Sequence, residues 1–211
     1  RYDGVVGPKA TVVTTCVDRR RFKPAPMPPM SPVRLLLAGT LNRFYDVPSM
    51  LDLVVELRTR RSVELLVASP GDTDWDSELD SVGAVRTSVT AGEMPALIAS
   101  CHVGLSICRD DAGISLVAAM PTKIGEFLAV GRPVVVNSGL LDAASMVDKA
   151  DAGVVVDGSV VGLNAAATRL LELLDDDATP ERATGLAAES FDLDTGVDRL
   201  VEIYRRMSAG R

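Results

Sequence analysis

Six short apolar runs recur along this chain, each separated from the next by a stretch long enough for one helix. They are Val33–Ala38, Val63–Ala68, residues 84–89, residues 103–107, residues 134–136 and Gly153–Val156. Their continuous β-branched and leucine-rich character fits strands buried on both faces of a parallel sheet. The intervening stretches carry helical periodicity. Residues 48–60, with Leu51, Val54, Val55 and Leu57 apolar, are the clearest case, and shorter helices are expected around 75–79, 93–101 and 142–149. Three helices, 162–174, 180–190 and 195–207, finish the chain. Alternation of this kind implies an α/β fold, a doubly wound parallel sheet with right-handed crossovers. In such sheets ligands bind beyond the carboxyl ends of the strands. Those ends carry Gly39-Thr-Leu-Asn-Arg43, Ser69-Pro-Gly71, the loop after Val89, the loop 108–120 and Asn137-Ser-Gly139. The loop 108–120 is long enough to predict a functional role.

Composition narrows the function. The 211 residues suffice for one domain or one and a fraction, and 47% hydrophobic with 24% charged residues is ordinary for a globular chain. A net charge of −7 argues against nucleic acid or an anionic membrane surface as the main partner. No apolar run approaches the ~18 residues of a membrane span. The chain opens on Arg1 and carries no signal-peptide pattern, and we expect it to be part of a longer protein. Cys16, Cys101 and Cys108 have no metal-ligand spacing, and the last two read as buried thiols in a reducing cytoplasm. His102 is the only histidine, and its place at the start of a strand argues against nucleophilic schemes that need one. No Gly-x-Gly-x-x-Gly follows a strand and no Walker-type loop occurs, which weakens nicotinamide and P-loop readings.

Residues 121–137 hold the chemistry. Pro121 suits the first helical position, Ile124, Phe127 and Leu128 form an apolar face, Gly131 suits the C-terminal cap, and Pro133 stops the helix. Packing does not explain Lys123 or Glu126. A lysine in the first turn opposes the helix macrodipole, and Lys three residues before Glu is the weaker orientation for an ion pair. Lys123 makes better sense if an anion docks where free N–H groups already point outward. Glu126 lies roughly 7–8 Å from Pro121 along the axis, at about 1.5 Å per residue, close to the span from a diphosphate to the diol edge of its ribose. The alternative is a solvated Lys–Glu pair on a surface helix.

The string Pro121-x-Lys123-x-x-Glu126-Phe-Leu-Ala-x-Gly131-x-Pro133-Val-Val resembles the donor-site signature of GT-B glycosyltransferases, in the large retaining group known as glycosyltransferase group 1. The resemblance implies the Rossmann-like C-terminal half of a GT-B fold, binding a nucleoside-diphosphate sugar. By that resemblance Glu126 would hold the ribose hydroxyls. Pro121, Thr122 and Lys123 would hold the diphosphate at the helix start, and Val89 and Thr90 would face the base, with Glu93-Met94 opening the next helix. The segment Val17-Asp18-x-x-x-Phe22-x-Pro24 resembles the interdomain crossover of this family. Residues 1–16, with an expected strand at 11–15, would then be the tail of an N-terminal acceptor domain. Residues 17–32, with five prolines in the nine residues 24–32, would be an extended linker, and residues 33–211 the donor domain. The Arg19–Arg21 run reads as a solvated face.

The chain also departs from the family pattern. Thr40 follows Gly39 where an arginine is usual, and no lysine follows before Lys123; Arg43 is the candidate replacement. Eight residues before Glu126, where the family usually has a second glutamate, stands Ala118. The Pro-x-Lys-x-x-Glu variant resembles a subgroup that often lacks that acid. The implied reaction is sugar transfer to an acceptor hydroxyl, in bacterial polysaccharide or glycoconjugate synthesis. No metal or cofactor is expected beyond the nucleotide sugar, no catalytic residue is assigned, and the fragment is expected to be inactive alone. A cytoplasmic place is expected, with the full-length protein allowed a peripheral position at a membrane. Two other readings stay open: a non-catalytic nucleotide-binding or docking module, motivated by Ala118 and Thr40, and a nucleotide-sugar 2-epimerase, which needs more acidic and histidine chemistry than this chain offers.

Overall fold

The computed structural model describes residues 11–113, 116, 119–157 and 159–209. Six strands, β1 (Val33–Ala38), β2 (Val63–Ala68), β3 (Val85–Thr87), β4 (Val103–Ser106), β5 (Val134–Asn137) and β6 (Gly153–Val156), form one all-parallel sheet in the order β3-β2-β1-β4-β5-β6. Among the described residues the helices include α1 (Val47–Arg58), α2 (Asp76–Ser81), α3 (Met94–Ala99), α4 (Thr122–Val130), α5 (Leu141–Lys149), α6 (Val160–Asp175), α7 (Thr179–Ser190) and α8 (Leu193–Ala209). The expected doubly wound Rossmann-like sheet is therefore what the chain forms.

Alternation along β1 separates two cores. Leu35 and Leu37 pack with α1, α6 and Leu79 of α2, while Leu36 and Ala38 face α3, α4, α5 and α7. Burial on both faces explains why the sequence shows unbroken apolar runs instead of alternation. At Gly104 of β4 a Cβ would overlap the Phe127 ring, so the missing side chain is what lets α4 lie close to the sheet. Gly131 caps α4 in the left-handed region with φ 85°, as its position predicts. Strand β3 is shorter than the expected 84–89. It is an edge strand with one neighbour, and Val85 is exposed. Helix α8 turns Val197, Leu200, Val201, Tyr204 and Met207 outward.

Two expectations at the N-terminal end need revision. Residues 11–15 form no strand. Thr14 Oγ1 donates to the Ser190 carbonyl at 2.5 Å, and pairing is limited to a single bridge between Val17 and Asp192. The proline-rich segment is irregular, as its composition requires, yet it does not stand free. Met27 and Met30 pack on one core, and Val17 and Phe22 are buried in the other.

Its carbonyls are also engaged. The His102 ring accepts the Arg34 N–H at Nδ1 (2.9 Å), which leaves Nε2 to donate to the Pro29 carbonyl (3.2 Å). Burial holds the pKa of this imidazole below its usual value, so it serves as a neutral bolt. Arg132 is wholly buried. Its Nη1 and Nη2 donate to the carbonyls of Ala25 (3.0 Å), Pro26 (2.8 Å) and Ala99 (2.8 Å), with a longer contact to Val130 (3.4 Å). Ala99 and Val130 are the last residues of α3 and α4, where the helix dipoles present partial negative charge. Burial lowers the Arg132 pKa to about 10, so the guanidinium stays charged at neutral pH.

Replacing Arg132 by Ala strands several buried carbonyls at once. At about 1–3 kcal/mol for each buried group left unpaired, a loss of at least ~3 kcal/mol is expected. For a chain of this size that is a drop in Tm of roughly 6–12 °C. Thermal melting of the variant checks it, and a Tm within a degree of the parent would show that the carbonyls find water instead.

Candidate functional site

Strand order reverses between β1 and β4, which makes the carboxyl ends of these two strands the topological switch point of the sheet. The two loops leaving it are joined by backbone bonds. Asp46 N–H donates to Ile107 O (3.0 Å), Arg109 N–H to Phe44 O (2.9 Å), and Tyr45 bridges Cys108. Asn137 braces the second loop from β5: its Oδ1 accepts the Cys108 N–H (2.9 Å) and its Nδ2 donates to Asp110 Oδ1 (3.1 Å). Between these loops lies a cavity of about 240 Å³ lined by Asn42, Phe44, Tyr45, Cys108, Leu116, Ala119 and Pro121.

Helix α4 starts at this cavity. Pro121 is its cap residue (φ −58°, ψ 125°) and not its first helical residue as the sequence predicts, because its ψ is extended while its carbonyl already accepts the Ile124 N–H (3.0 Å). No side chain caps this end, and helix geometry gives the N–H groups of Thr122 and Lys123 no intrahelical acceptor. Thr122 is exposed and Pro121 half-buried.

Lys123 turns from this first turn toward the sheet. Its Nζ donates to the Ala38 carbonyl at the end of β1 (2.5 Å) and sits 4.0 Å from the centroid of the Tyr45 ring. The ammonium also lies against Gly39, where a Cβ would be 3.5 Å from Nζ. Loss of water pulls the Lys123 pKa from 10.5 down to about 8, with Cys108 and Glu126 opposing the shift. Among the described residues, no ion pair joins Lys123 to Glu126. The surface Lys–Glu pair weighed in the sequence is thus not formed. Glu126, one turn along, is half-buried, and burial raises its carboxyl pKa while the positive charges of Lys123 and Arg21 hold it back.

The other sequence-predicted residues lie around this centre at different ranges. Val89 packs on the core beside α3. Thr90 is exposed, and its N–H (2.8 Å) and hydroxyl (2.7 Å) both donate to the Glu93 carboxylate, which shapes the loop 88–93. Arg43 does not join Lys123. Its guanidinium stands 5.5 Å from the Phe44 ring in an adjoining cleft with Arg109 and Asp111. Ala118 lies outside the described residues. Sequence reasoning missed Tyr45 and Asn137 as partners of the site. Asn137 stands in a strand-end segment but has no role assigned there by sequence, and Tyr45, in the loop just before α1, belongs to no recognisable spacing.

No protein-family model matches the sequence, and no curated protein matches it. Solved structures do. The chain superposes on AviGT4, a glycosyltransferase involved in avilamycin A biosynthesis, with a TM-score of 0.74 at 21% identity, over 97% of this chain and 60% of that one. The C-terminal domain of a glycosyl transferase group 1 family protein, LpcC of Francisella tularensis, matches with a TM-score of 0.60 at 15% identity, over 84% of this chain and 99% of that one. HepE of Anabaena, solved with UDP and glucose, matches with a TM-score of 0.70 at 16% identity, over 92% of this chain and 56% of that one. The fold is that of the C-terminal domain of GT-B glycosyltransferases. The chain spans 60% of AviGT4 and 56% of HepE, and nearly all of the LpcC domain.

The half-buried cation makes a testable claim. Between about pH 8 and 10.5 the unfolded chain holds a proton on Lys123 that the folded chain has released, so this residue's contribution to stability rises with pH across that window. Lys123→Met removes the term. The variant is expected to exceed the parent most at pH 7, by about 2 kcal/mol after allowing for residual water contact, and the gap should close toward pH 10. Denaturant melts of both proteins at pH 7, 8.5 and 10 measure it, and a gap that stays constant would refute the depressed pKa.

Proposed function

We propose that this chain is the donor-binding half of a glycosyltransferase that moves a sugar from a nucleoside diphosphate to an acceptor hydroxyl. The observation that carries the reading is Lys123, a desolvated cation at the switch point whose only hydrogen-bond acceptor among the described residues is one backbone carbonyl. Beside it stands an uncapped helix N-terminus. A dianion placed there would receive a charge-assisted hydrogen bond from Lys123 together with the free N–H groups of Thr122 and Lys123. Glu126 follows on the same helix and would accept the ribose hydroxyls. Val89 and Thr90, in the loop after β3, would meet the base.

The chemistry follows from charge. As the bond from the anomeric carbon to the diphosphate breaks, negative charge grows on the leaving β-phosphate oxygen. Fixed N–H dipoles and the Lys123 ammonium oppose that charge without reorganising, which is where preorganised electrostatics lowers a barrier. Arg43 would contribute only through movement of its loop. No metal is needed for this role if the cations suffice. Residues 33–211 form the donor domain in this reading, residues 17–32 the interdomain segment and residues 1–16 the tail of an acceptor domain. The whole enzyme would work in the cytoplasm, or peripherally at its membrane, in bacterial polysaccharide or glycoconjugate synthesis. Thr40 and Ala118 favour a second reading, a nucleotide-binding module that has lost transfer.

Titration with UDP, GDP, ADP and their sugars tests donor binding. Sugar transfer by the longer protein separates the two readings. Glu126 provides the sharper test. Hydrogen bonds to a charged acceptor contribute about 1.5–3 kcal/mol, so Glu126→Ala is expected to lose roughly ten-fold to more than a hundred-fold in affinity for a nucleoside diphosphate. Parent and variant should bind the 2′,3′-dideoxy analogue almost equally, since it lacks the partner hydroxyls. Calorimetry on both ligands decides the matter, and a parallel loss on both would make Glu126 a structural residue.

A further inference from the structure

The Arg19–Arg21 run, a solvated face by sequence, contains one residue that the fold uses differently. Arg21 is exposed, but it is held between two buried anchors, Val17 and Phe22. Both belong to the core cluster that contains Ile124, Phe127 and Phe191. The turn between them is closed by Asp18, whose carbonyl accepts the N–H groups of Arg21 and Phe22 at 3.0 Å each. Val17 is fixed by bonds to either side of Asp192: its N–H donates to Phe191 O (2.7 Å), and its carbonyl accepts from Leu193 N–H (3.2 Å).

From that platform the Arg21 guanidinium lies 5.7 Å from the Phe22 ring centroid and donates through Nη2 to the Ala91 carbonyl at 2.8 Å, seventy residues away. Ala91 is in the loop 88–93. Glu93 holds that loop from inside through Thr90, and Arg21 holds it from outside. The positive charge of Arg21, like that of Lys123, favours the ionised Glu126 carboxylate, although among the described residues no hydrogen bond or ion pair joins Arg21 to it. Arg21 therefore grips the loop that would meet the base, on the side of the site where the ribose carboxylate stands. Lys123, by contrast, belongs to the diphosphate end.

We propose that Arg21 is a positioning residue of the donor site, tying the base loop to the interdomain segment, so that grip on the nucleoside depends on how that segment is seated. The inference rests on the donor-site reading above. It adds that the crossover is a working wall of the site and not only a tether, because its seating at Val17 and Phe22 determines where the guanidinium stands.

The test compares parent, Arg21→Ala and Arg21→Lys, titrated calorimetrically with UDP, GDP, ADP and inorganic pyrophosphate from pH 4.5 to 7.5. Arg21→Ala is expected to lose roughly five-fold or more in affinity for the nucleoside diphosphate the parent binds best. Its pyrophosphate affinity should stay within about two-fold, since that end of the site is untouched. The fall in nucleotide affinity on acidification should begin at higher pH, because Glu126 loses a cation that favours its ionised form. Arg21→Lys keeps the charge but not the planar reach to Ala91. It should restore the acid limb and only part of the affinity. Unchanged nucleotide affinity and acid limb in Arg21→Ala would overturn the role of Arg21 alone. A parallel loss of pyrophosphate would overturn it in favour of a general effect on the fold. A parent that binds none of the three nucleotides would remove the donor reading itself, and this inference with it.

Discussion

A buried guanidinium without a carboxylate holds this structure together. Arg132 takes its neutralisation from backbone carbonyls, two from the proline-rich segment and two from the last residues of α3 and α4. A charge in such a place is tolerable only when its donors are nearly all used, since an unpaired buried cation would cost several kcal/mol. Here the Nη donors are used and Nε alone is left without a partner. The consequence reaches beyond stability. By joining the proline-rich segment to the ends of α3 and α4, Arg132 sets the relative positions of the elements that carry Arg21, the loop 88–93 and Glu126.

The second desolvated cation is satisfied differently, and the difference separates scaffold from site. Lys123 has one carbonyl and one aromatic face where Arg132 has four carbonyls. Its ammonium keeps donor capacity that the protein does not consume, whereas burial lowers the pKa of both cations alike. Local rules are broken at the same place. A lysine stands in the first turn of a helix, that helix has no side-chain cap, and the strand order reverses alongside. Such disagreements between levels are where function is expected to reside.

Much of the architecture was legible beforehand because parallel strands buried on both faces leave unbroken apolar runs. Each of the six strands was anticipated, as were the Gly131 cap and the succession of helices. The strand expected at 11–15 failed for a physical reason: β-branched residues satisfy strand propensity, but pairing needs a neighbour, and this segment finds only the turn after α7. Proline-rich composition correctly denied regular structure to residues 24–32, yet it says nothing about packing. Proline keeps its carbonyl, and Pro26 and Pro29 use theirs to accept from Arg132 and His102.

The sequence by itself determined the parallel α/β class and singled out Lys123 and Glu126, because their types and positions on one helix contradict what packing and the macrodipole would select. Only the tertiary structure decided what those residues meet. Tyr45 under the ammonium, the Ala38 carbonyl it bonds, Arg43 turned into a neighbouring cleft and Arg21 bound to Ala91 all depend on contacts between segments far apart in the chain. Local periodicity carries no information about such contacts, since it reports which face of an element is buried and not which distant residue covers it.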